Sequence, residues 1–226
     1  MPQTAHGPLR SFGRLKSRPI KPRQEALFTS LLPSIAVPAE GAVDPLSLVA
    51  GAADAFLEIG FGGGEHLVAQ AKKDPTVVAI GAEPFVNGVA SALRHVEEQA
   101  AGNVRILHGD ARDLVARLPD ASIGRVYILF PDPWPKTRHH KRRIMQPEMI
   151  AELARIMRPG ARLRFASDWA DYVDWTLERM TASPDFRWLA TRADDWRIPP
   201  VDHVTTRYEE KRLGDCAPAF LEFERQ

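Results

Sequence analysis

The segment Glu58-Ile59-Gly60-Phe61-Gly62-Gly63-Gly64 joins an acid to a glycine cluster at the end of a short apolar run, 55–59. Glycines leaving a strand permit a tight turn and a close backbone approach to a ligand. Two more acids stand just past later apolar runs, Glu83 after 77–81 and Asp110 after 104–107. Aligned on Gly60 and Gly62, the dinucleotide fingerprint G-x-G-x-x-G wants glycine where Glu65 stands. A pyrophosphate would also sit badly beside Glu58. A cationic cofactor without phosphate suits these acids better. S-Adenosyl-L-methionine carries ammonium and sulfonium charges, which attract carboxylates through charge-assisted contacts. On this reading Glu58 and Gly60 border its charged end, Glu83 accepts both ribose hydroxyls, and Asp110 meets the adenine amino group. Simpler roles compete: Glu83-Pro84 as a turn, and Asp110 as a helix cap.

A second feature follows the apolar run 126–130: Pro131-Asp132-Pro133-Trp134-Pro135-Lys136, then Thr137-Arg138-His139-His140-Lys141-Arg142-Arg143. Three prolines in five residues exclude helix and favour an extended backbone. Asp132 is thus a stiffly held acid at the end of a strand, beside an aromatic and ahead of a cationic run. That combination suits a base held near a phosphate backbone. The competing reading makes Trp134 a packing anchor in a surface loop.

These groups need a scaffold that brings strand ends together. Apolar runs at 55–59, 77–81, 104–107, 126–130 and 162–166 alternate with helical spacing at 64–73, 87–99, 114–118 and 149–157, and a further helix carries Tyr172, Val173, Leu177 and Met180. The breaker Arg158-Pro159-Gly160 is expected to stop the helix before the fifth strand, and 220–223 reads as a late strand. Alternation at this spacing predicts an α/β, doubly wound, mostly parallel sheet with helices on both faces. Ligands on such sheets sit beyond the carboxyl ends of the strands, where the acids stand.

Residues 1–50 read as a basic, largely irregular arm, with a short helix at 25–32 stopped by Pro33, and 51–226 as the catalytic domain. The arm carries Arg10, Arg14, Lys16, Arg18, Lys21 and Arg23 before its first acid, Glu25, although the whole chain has a net charge of only +1. A near-neutral total with two basic blocks implies a polarised surface. At 226 residues, 44% hydrophobic and 26% charged, the chain is neither disordered nor fibrous. The single cysteine, Cys216, and the lack of an apolar leader point to the cytoplasm. No apolar run approaches the ~20 residues that span a bilayer, so no membrane partner is expected. Nor is a metal: His139 and His140 adjoin one another among cations, and the other histidines are scattered.

The run 130–143, with its Pro-Asp-Pro-Trp core and basic tail, resembles the signature of bacterial tRNA (guanine-N7-)-methyltransferases. Ala166-Ser167-Asp168-Trp169 resembles that family's Thr/Ser-Asp-Trp. Thr206-Arg207-Tyr208-Glu209 followed by Arg212-Leu213-Gly214 resembles its Thr-Lys-Phe-Glu and Arg-Leu-Gly. Arg207 and Tyr208 keep the charge and the ring, although Arg and Lys are not equivalent donors. The resemblance implies methyl transfer from S-adenosyl-L-methionine to N7 of guanine 46 in the tRNA variable loop, with tRNA as partner and a monomer or homodimer as the assembly. It implies Glu58, Glu83, Asp110 and Asp132 as cofactor-binding acids, and Asp132 as catalytic. Lys136, Asp168, Thr206, Arg207, Tyr208 and Glu209 match substrate-binding positions, and Arg138, His139 and Arg142 match basic positions expected on tRNA. Lys136, Arg138, Lys141, Arg142 and Arg143 are all expected to supply phosphate contacts. Rival readings are an amino-group methyltransferase, which usually has a second proline after the acid, and a tRNA-binding protein that has lost its chemistry. Retention of all four acids speaks against the latter.

Overall fold

A computed structural model describes residues 19–226; Arg10, Arg14, Lys16 and Arg18 of the expected arm lie outside them. Seven strands form one sheet in the order β3-β2-β1-β4-β5-β7-β6. Strands β1 (Asp54–Ile59), β2 (Val77–Ala82), β3 (Val104–Leu107), β4 (Ile123–Leu129) and β5 (Met157–Ser167) are parallel. Strand β7 (Ala219–Arg225) runs antiparallel between β5 and β6 (Phe186–Trp188). Parallel strands are covered on both faces, which is why β1 and β2 read as unbroken apolar runs rather than alternating ones.

Two buried clusters lie on the two faces. Helices α3 (Glu65–Ala71) and α4 (Val86–Gln99) cover one, through Leu67, Val68, Val89 and Leu93. Helices α5 (Ala111–Val115), α6 (Pro147–Ile156) and α7 (Ala170–Ala182) cover the other, through Leu114, Ile150, Leu153 and Tyr172. The strand order reverses between β1 and β4, the position at which such sheets form a crevice.

Four local expectations are corrected. Helix α6 ends at Ile156, and Arg158-Pro159-Gly160 lies inside β5, where the β4 register shifts between Ile123 and Arg125. That irregularity absorbs the proline, with Gly160 at φ 79°. Helix α5 begins at Ala111, because Asp110 caps it by accepting the Arg112 amide at 3.0 Å. Pro33 starts a second turn instead of stopping the first: α1 (Pro22–Ser30) is followed by α2 (Leu32–Ile35), with Pro33 in its first turn. Part of the arm is therefore ordered against the domain. Leu27 is buried, Arg23 pairs with Glu97 of α4 at 2.9 Å, and Ala36 bridges to Ile106 of β3.

Candidate active site

The carboxyl ends of β1 to β4 open onto one cavity of about 660 Å³, bordered by Glu58, Gly60, Glu83, Asp110, Asp132 and Tyr208. Gly60 and Gly62 hold φ of 73° and 55°, a region L side chains avoid, and the space above both is open. The glycine loop is thus a bare backbone floor, as a closely held ligand requires.

Around that floor each acid is fixed differently. Glu58 is buried at the end of β1 and takes a hydrogen bond at 2.7 Å from the His66 ring. Glu83 accepts the Gly62 amide on one oxygen at 2.9 Å and the Phe85 amide on the other at 2.8 Å. Burial raises its pKa to about 7; the two amides oppose the rise, while the charges of Asp132 and Glu58 add to it. Asp110 caps α5 and pairs with Arg112 at 3.0 Å. The cap role of Asp110 is real, no turn forms at Glu83-Pro84, and both carboxylates border the cavity.

Asp132 leaves β4 on a loop that is stiff but not uniformly extended. Phe130 and Trp134, each preceding a proline, sit at φ 50° and 46°. The Phe130 amide is tied to the Ala166 carbonyl at 2.7 Å, and Pro133 O accepts from Arg143 at 3.0 Å. Strained backbone held by its surroundings in this way is a feature of functional sites. The Asp132 carboxyl opens to the cavity, yet the surrounding walls desolvate it enough to raise its pKa. Trp134 borders the same cavity, with the Arg142 guanidinium 4.8 Å above its ring and His139 edge-on.

The basic run divides into two roles. Lys136 precedes the 3-10 turn Thr137–Arg142 and, with Arg138 and Lys141, is exposed outside the cavity. Arg143 is a correction: it is 1% exposed, pairs with Asp171, and lies 4.7 and 5.0 Å from the rings of Tyr172 and Trp175. It anchors the loop to α7 and cannot reach a phosphate. His140 joins it, 3.4 Å from Asp171.

Of the positions matched to substrate binding, Thr206, Arg207 and Tyr208 border the cavity. After the short helix α8 (Asp194–Arg197), Thr206 and Glu209 form a capping box for helix α9 (Arg207–Glu210), and His203 bonds Glu209 at 2.8 Å. Burial raises the Glu209 pKa, but the His203 and Thr206 hydrogen bonds outweigh it and the net shift is downward. Glu209 therefore supports the wall instead of forming it. Asp168 is buried beneath, where it accepts the Gly214 amide at 3.0 Å.

Sequence reading missed Glu65, Asn87, Ser91 and Arg112, which also border the cavity. Asn87 and Ser91 lie four apart on α4, a polar pair on one helix face that spacing could have exposed. Glu65, five residues past the first loop residue Gly60, enters the sequence reading only as the residue that breaks a fingerprint. It sits 3.8 Å from both His95 and Arg207 and so bridges the glycine loop to the α9 wall. Among the described residues no helix is long and apolar enough to cross a membrane, and no group of three or more histidines, cysteines or acids could hold a metal ion.

The strand order and the acid-rimmed cavity at its switch point define a Rossmann-like methyltransferase. A 16S rRNA (adenine(1408)-N(1))-methyltransferase from Catenulisporales acidiphilia, crystallised with the cosubstrate SAM, shares this fold with a TM-score of 0.52 and 17% identity, over 78% of this chain and 87% of that one. The family model described as "Putative methyltransferase" matches residues 52–216. The chain is 66% identical to the tRNA (guanine-N(7)-)-methyltransferase of Caulobacter vibrioides, over 99% of this chain and 98% of that one. It is 49% identical to the enzyme of that name from Hyphomonas neptunium, over 95% and 99%. The chain belongs to the tRNA (guanine-N(7)-)-methyltransferase family.

Proposed function

We propose that this protein transfers a methyl group from S-adenosyl-L-methionine to N7 of guanine 46 in the tRNA variable loop, forming 7-methylguanosine. The observation that carries the reading is the convergence of Glu58, Glu83, Asp110 and Asp132, from the ends of four adjacent parallel strands, on one cavity. The open glycine floor and the carboxylate set suit a cationic, phosphate-free cofactor, and that cofactor supplies an electrophilic methyl on a positively charged sulfur. Glu58 lines the wall nearest the glycine turn and favours the cationic end. Glu83 keeps lone pairs for two ribose hydroxyls beyond the two amides it already accepts. Asp110 stands where the adenine amino group would be read.

Guanine N7 presents a lone pair and no proton, so the protein needs no base to expose the nucleophile. Alignment of two bound reactants can contribute roughly 7–11 kcal/mol in the best cases. Asp132, held by the proline loop, orients the purine beside the methyl donor and stabilises the positive charge that develops on the ring. Trp134 and Arg142 offer a flat surface and a cation beside it. The exposed Lys136, Arg138 and Lys141 hold the phosphate backbone outside.

The test is nucleoside mass analysis of undermodified tRNA after incubation with isotopically labelled S-adenosyl-L-methionine. Label in 7-methylguanosine supports the reading; label on another base or atom, or none in tRNA, overturns it.

A further inference from the structure

Behind the cavity a chain of buried polar side chains runs from Glu58 across α3 to the loop that leads into the α9 wall. Its protons can be placed from one end. Lys73 Nζ donates to Gln70 Oε1 at 3.0 Å and to the Asp202 carbonyl at 3.0 Å. An ammonium only donates, so that amide atom of Gln70 is its oxygen and the other is the NH2. The two NH2 hydrogens then go to the Asp202 carbonyl at 2.9 Å and to His66 Nε2 at 3.0 Å. Nε2 is therefore an acceptor. The ring is neutral, its proton sits on Nδ1, and that N–H donates to Glu58 Oε2 at 2.7 Å.

The packing locks this arrangement. His66 and Gln70 are one turn apart on α3, and both are buried. The Tyr127 ring of β4 lies 4.6 Å from the imidazole at 72°, so the ring cannot swing away from Glu58. A lysine or arginine in this place would also orient the carboxylate, but it would cancel the charge and repel a cation in the cavity. A neutral imidazole donor orients Glu58 and leaves its full negative charge to face the cavity.

We propose that His66 is a positioning residue for Glu58 and that, through it, His66 sets the affinity of the cavity for the cationic end of the methyl donor. This rests on the reading of the cavity given under Proposed function. The sequence held no signal for it, because a histidine on an apolar helix face is ordinarily a satisfied core residue.

The experiment compares calorimetric binding of S-adenosyl-L-methionine with that of 5′-methylthioadenosine, which keeps adenine and ribose but lacks the charged end. Wild type, His66→Leu and His66→Asn are measured. His66→Leu is expected to weaken S-adenosyl-L-methionine about tenfold, the scale of one lost charge-assisted hydrogen bond, and to leave 5′-methylthioadenosine within about twofold. His66→Asn, whose amide places a donor near Nδ1, is expected to recover most of the loss. Equal losses for both ligands, or none for either, overturn the proposal. Wild type that binds neither ligand sinks the reading of the cavity itself, a separate result. Long-range nitrogen–proton NMR of the unmodified protein adds a test that no folding defect can blur: the account expects His66 Nδ1 protonated and Nε2 bare, and a protonated Nε2 overturns it.

Discussion

Asp168 and Gly214 meet where no side chain fits between them. The Gly214 amide donates to the Asp168 carboxylate at 3.0 Å, and a Cβ built on Gly214 would collide with the Asp168 carbonyl oxygen. That carbonyl also accepts the amides of Asp215 and Cys216 at 2.9 and 3.0 Å. A segment with little regular structure of its own is thereby tied to the end of β5, and with it Thr206, Arg207 and Tyr208 are held at the cavity wall.

Gly214→Ala and Asp168→Ala should therefore act on substrate and spare cofactor. Asp168→Ala leaves this half-buried amide without its acceptor, a loss of about 1–3 kcal/mol, and Gly214→Ala forces the two backbones apart, so KM for tRNA is expected to rise roughly tenfold. The Kd for S-adenosyl-L-methionine should stay within about twofold. Steady-state kinetics beside calorimetry reads both, and an unchanged tRNA KM would show that the tie is irrelevant to substrate.

Asp132→Asn and Asp132→Ala should remove turnover. Loss of one pre-oriented electrostatic group lowers the rate about 10²–10³-fold, while cofactor binding weakens only partly because Glu58, Glu83 and Asp110 remain. Single-turnover methylation at near wild-type rate in Asp132→Ala would refute the catalytic assignment.

Glu83 gives the pH dependence. Its pKa in the free protein is about 7, raised chiefly by burial. A ligand that donates two hydroxyls and carries positive charge favours the ionised form and lowers that pKa, so binding releases a proton. Affinity should then rise with pH up to about 7 and level off above it. Calorimetry in buffers of different ionisation enthalpy measures the proton release. Glu83→Gln should bind more weakly, with a flat profile across that range; a wild-type profile in this variant would contradict the assignment.

The two roles within the basic run separate by mutation. Arg138→Ala and Lys141→Ala should weaken tRNA binding and each reduce the slope of log K against log salt by about 1. Arg143→Met should instead lower Tm, losing about 2–4 kcal/mol as the packing on Tyr172 and Trp175 and the bond to Pro133 disappear. Titrations at several salt concentrations and thermal melts tell these apart.

What could be read in advance followed physical regularity. Strands buried on both faces appear as short apolar runs, and the acids at their ends fall where ligands bind, so Glu58, Glu83, Asp110 and Asp132 were legible together. Arg143 was not, because a run of cations looks uniformly solvated until the fold turns one inward against aromatic rings. The three-residue β6 and the stretch 189–218 carry no periodicity, so the wall residues there came from a family resemblance alone. Arg158-Pro159-Gly160 misled because a breaker inside a bulged strand has the same composition as a helix stop.

The central claim is that one cavity brings the methyl donor and Asp132 together. The most direct measurement is a crystal structure of the protein with S-adenosyl-L-homocysteine bound. The account predicts the amino-acid end beside Glu58, the ribose hydroxyls on Glu83, the adenine at Asp110 and the sulfur facing Asp132. A ligand seated elsewhere, or Asp132 turned into bulk solvent with the ligand in place, would contradict it.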